Sequence, residues 1–227
     1  MGKRSYKNFL LLSNEKSRSF LKHAKGGDYD RGIINELVNT IQELNSPTRV
    51  ALDVGASYGF VSKGLSQIFD RVIASEVVPN VRHVLEQNVT YANMPNVEVL
   101  DFGFGDKEKE IEIWFDPRYS GHASVFRQEH CKDHHMIVCP IKTIDSMNFD
   151  VVDYIKIDVE GYELEVIKGA IETIKRCKPI ISMEVSLGTW PRLQSSHECG
   201  MILEQNGYEY HSTAVNDFIF IPKEENT

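Results

Sequence analysis

The segment Val50-Ala-Leu-Asp-Val54, followed at once by Gly55-Ala-Ser-Tyr-Gly59, constrains this chain more than any other. A short, mostly apolar run bounded by glycines reads as a buried strand. The glycines let the backbone turn sharply into the helix that follows, through about Phe69. The same unit recurs downstream. A strand at Val72 to Ser75, a helix at Asn80 to Tyr91 and a strand around Val97 to Phe102 come next. Ile155 to Val159, a helix from Glu163 to Lys175 and a strand from Pro179 to Glu184 repeat the alternation. Compact apolar strands alternating with helices predict an α/β fold, a parallel sheet covered on both faces.

The flanking segments read less regularly. Ile33, Ile34, Leu37, Val38, Ile41 and Leu44 follow helical spacing before Asn45-Ser46-Pro47 stops them. Ile111 to Phe115 alternates like an edge or extension strand, and residues 116–136 are loop-like, rich in His, Arg, Ser and Gly. A helix near Ser196 to Asn206 ends at Gly207, and Tyr208 to His211 pairs with Phe218 to Ile221 as a terminal antiparallel hairpin. The first 28 residues stand apart. Up to Lys25 they carry seven Lys or Arg against one acid, Glu15, and Gly26-Gly27 marks a break. They read as a solvated arm or helix, or as a lid or docking segment over an acidic site. The expected organisation is a basic arm over 1–28 and one domain over 29–227, with 116–140 as a substrate-facing loop.

At 227 residues the chain buries a large core without disulfide staples. Cys131, Cys139, Cys177 and Cys199 form no CxxC pair, which suits free thiols in a reducing compartment. The apolar run Phe9 to Leu12 is too short for a signal segment, and no stretch approaches the roughly 20 apolar residues of a membrane span. A cytoplasmic protein is expected. The net charge of −8 repels phosphate backbones, so nucleic acid is disfavoured as the main partner.

Three motifs carry chemistry. Asp53-Val-Gly55-Ala-Ser57-Tyr-Gly59 links strand to helix, where free N–H groups and a partial positive charge suit an anionic group. It is neither a Walker A loop nor G-x-G-x-x-G, so pyrophosphate binding is not expected. Glu76 ends the next strand, where an acid can accept hydrogen bonds from a ribose diol. Glycine turn and acid together describe an adenosine site without phosphate contacts. The third motif, Lys156-Ile-Asp158-Val-Glu160-Gly161-Tyr-Glu163, puts charges at the exit of a core strand. A regular strand would place Lys156, Asp158 and Glu160 on one face. Buried charge is costly unless paired, so these residues are functional or form a structural ion-pair network.

The ordered set resembles the FkbM-type family of S-adenosylmethionine-dependent methyltransferases. It comprises D-V-G-A-x-x-G at 53–59, Glu76 with Pro79-Asn80, Asn88, Gly105-Asp106, and I-K-I-D-V-E-G at 155–161. Glu163, Gly169, and Pro179 with Glu184 complete it. Phe102-Gly103-Phe104 departs from the family's small residues. The resemblance implies a Rossmann-like, seven-stranded, mostly parallel sheet of order 3-2-1-4-5-7-6 with strand 7 antiparallel. It also implies O-methylation of a sugar, glycan or small natural product. Carried onto this chain, Gly55, Ala56, Ser57 and Gly59 would line the methionine end of S-adenosylmethionine, with Asp53 also among the cofactor-binding residues. Glu76, with Val77 beside it, would hold the ribose. Asp101 and Phe102 would border the adenine, and Asp158 and Glu160 would sit beside the transferring methyl.

Methyl transfer from a sulfonium is an in-line displacement, so alignment supplies much of the catalysis. A hydroxyl acceptor also needs a base within hydrogen-bond reach. Asp158 is the first candidate, Glu160 the second and a histidine of the 122–135 loop the third; Lys156 belongs to the same constellation. Arg118, His122, Ser124 and Glu184 are candidate acceptor contacts. Magnesium held by Asp158 and Glu184 is compatible with the sequence, which does not require it. The spacing His130-Cys131…His134-His135…Cys139 matches no standard zinc module. A nucleic-acid amino-methyltransferase would carry an Asn/Asp-Pro-Pro-aromatic motif where this chain has Asp158-Val-Glu160-Gly161. A protein methyltransferase on the same fold and a cofactor-binding module without catalysis also compete. The latter would show damage to the glycine turn or the acids, and both are intact. A homo-oligomer stays open.

Overall fold

In the computed structural model, described over residues 3–5, 9–26, 31–126, 133–184, 192–214 and 217–224, the apolar run at 50–54 becomes a central strand. The chain begins with β1 (Lys3–Ser5), β2 (Leu10–Leu12), α1 (Arg18–Gly26) and α2 (Arg31–Leu44). There follow β3 (Val50–Val54), α3 (Phe60–Leu65), β4 (Arg71–Ser75), α4 (Pro79–Tyr91) and β5 (Val97–Leu100). A middle section holds β6 (Gly103–Phe104), β7 (Lys109–Asp116), β8 (Tyr119–Ser124) and β9 (His135–Lys142). The last third contains β10 (Tyr154–Ile157), α5 (Glu163–Lys168), α6 (Ile171–Cys177), β11 (Ile180–Glu184), α7 (Arg192–Gln205), β12 (Tyr208–Ala214) and β13 (Asp217–Pro222).

Seven strands form the main sheet in the order β12-β13-β11-β10-β3-β4-β5. Numbered in chain order within that sheet, this is 3-2-1-4-5-7-6 read from the β5 edge. The last strand, β13, runs antiparallel to both its neighbours, while β10, β3, β4, β5 and β11 pair in parallel. Alternation along the strands sorts side chains into two cores. Leu52, Val54, Ile155, Ile157, Ile181 and Met183 pack on one face. Ala51, Val72, Ala74, Tyr154 and Ile180 pack on the other.

Three sequence expectations change. The helix expected through Lys175 breaks at Gly169 into α5 and α6, and the backbone there packs so closely that a β-carbon would lie 1.8 Å from the Gly105 carbonyl oxygen. The helix expected through Phe69 ends at Leu65 and continues as turns. The segment 116–140 is no simple loop. Tyr119–Ser124 and His135–Lys142 are strands of a separate four-stranded sheet, ordered β6-β9-β7-β8, to which Ile111–Phe115 also belongs. Ile113, Phe115, Cys139 and Ile141 are buried on its inner face.

Residues 9–26 of the basic start pack against the domain. Phe9, Leu11, Leu12, Phe20 and Ala24 are buried in the first core, while Lys16, Arg18 and Lys25 are exposed. Asn88, fully buried on α4, locks this segment in place. Its Oδ1 accepts the Leu10 N–H at 2.7 Å, and its Nδ2 donates to the carbonyls of Leu10 and Tyr58 at 3.1 and 2.9 Å. None of the described helices is long and apolar enough to cross a membrane.

Candidate active site

The carboxyl ends of β3, β4, β10 and β11 open into a cavity of about 390 Å³, within the range that holds cofactors. The small sheet walls it with Ile111, Ile113 and Ile141. Parallel sheets place ligands at this edge because the loops leaving adjacent strands diverge there.

The glycine turn forms one side. Its Gly55 and Ala56 N–H groups donate to the Ser75 carbonyl at 3.0 and 2.9 Å, tying β3's exit to β4. Gly55 has φ +83°, and a β-carbon on it would lie 1.9 Å from the Asp158 carbonyl oxygen. Only glycine allows β3 and β10 to exit so closely. Ser57, at φ 51°, is bent so that its N–H reaches Glu76 Oε2 at 2.9 Å. Val78 N–H donates to Glu76 Oε1 at 2.7 Å. Each Glu76 oxygen thus keeps a further lone pair beside the cavity that it lines. Burial pushes the Glu76 carboxyl up to about 7, outweighing the backbone N–H groups of Val78 and Ser57 and the charges of Lys156 and Arg82.

The floor is a charged row on one sheet face. Lys156 pairs in register with Asp53 on β3 and Ser182 on β11. Its buried Nζ lies 3.2 Å from Asp158 Oδ2, 3.5 Å from Asp53 Oδ1 and 3.2 Å from the Gly55 carbonyl oxygen. Ser62 donates to Asp53 Oδ2 at 2.5 Å. Burial pulls the Lys156 ammonium down, but Asp158, Asp53 and Asp217 hold it well above the ordinary lysine value. It is a fixed cation, not a base, and it clamps Asp158.

The strand does not stay regular beyond Ile157. Glu160 (φ 53°) and Gly161 (φ 106°) turn the chain, and Glu163 Oε1 accepts the Val159 and Gly161 N–H groups at 3.2 and 3.0 Å. Ser124 Oγ donates to the Glu160 carbonyl at 2.6 Å, joining this turn to the small sheet. Asp158 and Glu160 nevertheless both line the cavity, as does Glu184. These three bring carboxylate oxygens within 4.8 Å of one another, hard donors of the kind magnesium takes.

The cavity therefore gathers Gly55, Ala56, Ser57, Glu76, Val77, Ser124, Lys156, Asp158, Glu160 and Glu184, as the sequence suggests. Others fall elsewhere. Asp53 lies buried beneath Lys156. Gly59 caps α3 in the left-handed conformation, packed on Leu85. Asp101 is exposed, and Phe102 packs edge-on against Phe104 under Lys142. Gly103 and Phe104 line the cavity in their place. Arg118 is held by Asp116 at 2.7 Å. The His122 side chain, His130 and Cys131 lie outside the described residues. Ser17, Phe20, Phe104 and the isoleucines are lining groups that motif reading misses, although the alternation at Ile111 and Ile113 is visible in the sequence.

No curated protein matches the sequence. Among solved structures, the methyltransferase FkbM from Methylobacillus flagellatus KT superposes with a TM-score of 0.51 at 20% identity, over 77% of this chain and 43% of that one. This chain thus spans less than half of that protein's length. The O-methyltransferase from Bacillus cereus in complex with SAH gives a TM-score of 0.53 at 14% identity, over 89% of this chain and 86% of that one. At these identities the likeness shows a shared fold, the Rossmann-like α/β fold of class I methyltransferases. The methyltransferase FkbM domain matches residues 53–210, from the glycine turn to the terminal hairpin. The chain therefore belongs to the FkbM family of methyltransferases.

Proposed function

We propose that this methyltransferase moves the methyl group of S-adenosylmethionine to a hydroxyl of a sugar, glycan or small natural product, with Asp158 as the base. The observation that carries this reading is the clamped carboxylate. Asp158 is held at Oδ2 by a fixed cation and lines the same cavity as the glycine turn and Glu76.

The residues fit the donor. Glu76 offers acceptor lone pairs for a ribose diol, and Ser57, beside the cavity, has a buried hydroxyl without a hydrogen-bond partner among the described residues. No run of glycines cradles a pyrophosphate. S-adenosylmethionine, when bound, supplies an electrophilic methyl on a positively charged sulfur. The chain's own residues do the rest. Lys156 ties Asp158 to the glycine turn through the Gly55 carbonyl, so the base and the donor-binding loop share one anchor. The acceptor oxygen takes the methyl, and its proton passes to Asp158. Glu160 and Glu184 add negative potential where positive charge is transferred.

The acidic surface and free cysteines support a cytoplasmic setting with a small-molecule or glycan acceptor rather than nucleic acid. The test is transfer of tritiated methyl onto a panel of glycans, small alcohols and small amines. Asp158→Asn should lower turnover by about a hundredfold or more while leaving S-adenosylhomocysteine affinity within a few-fold. A large loss of that affinity would reassign Asp158 to donor binding. Labelling only of amines would overturn the hydroxyl acceptor.

A further inference from the structure

Residues 15–20 lie outside the matched segment 53–210, yet Ser17 and Phe20 line the active-site cavity. Their placement is over-determined. Glu15 is buried at 1% exposure. Its Oε1 accepts the Lys16 and Ser17 N–H groups at 3.0 and 2.8 Å, and its Oε2 accepts the Tyr58 hydroxyl at 2.9 Å. Tyr58 is part of the glycine turn. From the other side, Lys16 N–H donates to the Arg118 carbonyl at 2.7 Å, at the turn between β7 and β8. The segment thus spans from the glycine turn to the small sheet, two walls of one cavity. Its aromatic ring is seated as firmly. Phe20 meets Tyr58 edge-on at 5.5 Å and Phe60 at 6.0 Å between centroids.

We infer that residues 15–20 are a built part of the donor site and that Phe20 forms its apolar wall beside the glycine turn. Tyr58 and Phe60, the rings Phe20 rests on, flank Gly59 in the same turn as Gly55 and Ser57. That places the segment beside the glycine turn, the part of the cavity assigned above to the methionine end of the donor. The wall comes from outside the matched residues 53–210, and because it lines the donor cavity its loss should weaken donor binding. The inference rests on the donor reading given above.

The experiment is calorimetric titration of S-adenosylhomocysteine into the full chain, its Phe20→Ala variant and its Phe20→Leu variant. Losing one aromatic wall should weaken binding about tenfold or more in Phe20→Ala, with Phe20→Leu restoring most of it. A folded Phe20→Ala variant that binds like the wild type overturns the inference. Phe20 also belongs to the core, so a second measurement uses the unaltered chain. S-adenosylhomocysteine should slow amide hydrogen exchange across residues 15–24, and unchanged exchange there with slowing at residues 55–59 overturns the inference equally. No binding by the unaltered chain would instead refute the donor reading itself.

Discussion

If Glu76 holds the donor as proposed, donor binding should be pH-dependent near neutrality. Its buried carboxyl titrates at about 7, whereas an ordinary glutamate titrates at 4.5. A ribose diol donates two hydrogen bonds, and only the ionised carboxylate accepts both while still accepting those of Ser57 and Val78. Apparent affinity then scales with the ionised fraction, which falls from about ten elevenths at pH 8 to about one eleventh at pH 6. S-adenosylhomocysteine should bind roughly tenfold more weakly at pH 6 than at pH 8. Binding at pH 7 should release a fraction of a proton, visible as a buffer-dependent enthalpy. Calorimetry in two buffers at three pH values measures both. Glu76→Gln should bind more weakly at pH 8 and lose the pH slope. The reasoning fails if wild-type affinity is flat between pH 6 and 8, or if the Gln variant keeps the slope. The same group acts on the ligand-free fold with the opposite preference. Its folded-state value is raised, so its contribution to stability is complete below 4.5 and is lost as pH rises through about 7. The loss amounts to roughly 3 kcal/mol.

Two substitutions test the frame around the site. Gly55→Ala puts a methyl 1.9 Å from the Asp158 carbonyl at a left-handed backbone position. It should cost about 2 kcal/mol or more and weaken S-adenosylhomocysteine binding, measured by urea unfolding and titration; an unchanged midpoint would refute the close approach of the two strand ends. Lys156→Met leaves buried Asp53 without its cation and should destabilise by about 3–5 kcal/mol. Adding Asp53→Asn should recover part of that loss in the same unfolding assay, and strict additivity of the two changes would refute the pairing.

Much of this architecture is legible in the chain because its central strands carry few polar residues. Val50–Val54, Ile155 and its neighbours, and Pro179–Glu184 can be read from composition alone, and their loops then place Glu76 and Asp158 at one sheet edge. What stays hidden depends on pairing rather than pattern. Strand β8 is Tyr-Ser-Gly-His-Ala-Ser, with almost no strand propensity, and forms by pairing with β7 along its edge. The N-terminal segment is disguised by charge. Its seven lysines and arginines are interleaved with the apolar residues that pack, although Phe20 and Ala24 stand one helical turn apart and both are buried. Asp101 and Phe102, expected to border the adenine, do not line the cavity, whereas Gly103 and Phe104 do. The backbone turns at Phe102, whose carbonyl accepts the Ser75 hydroxyl at 2.6 Å, and presents the next two residues instead.

The place of β3 in the middle of the main sheet bears on how the chain reaches this form. One edge of β3 pairs with β4, which follows within a few turns of chain. The other pairs with β10, beginning at Tyr154 opposite Ala51, roughly a hundred residues later. During synthesis the first strand pair can form early, but its second edge waits until most of the protein has emerged. Until then an apolar strand carrying Asp53 has an open side and lacks Lys156. Such long-range parallel pairing is intrinsically slow. Folding of this chain should therefore be limited by closure of the β3–β10 seam, the same seam that brings the glycine turn against Asp158.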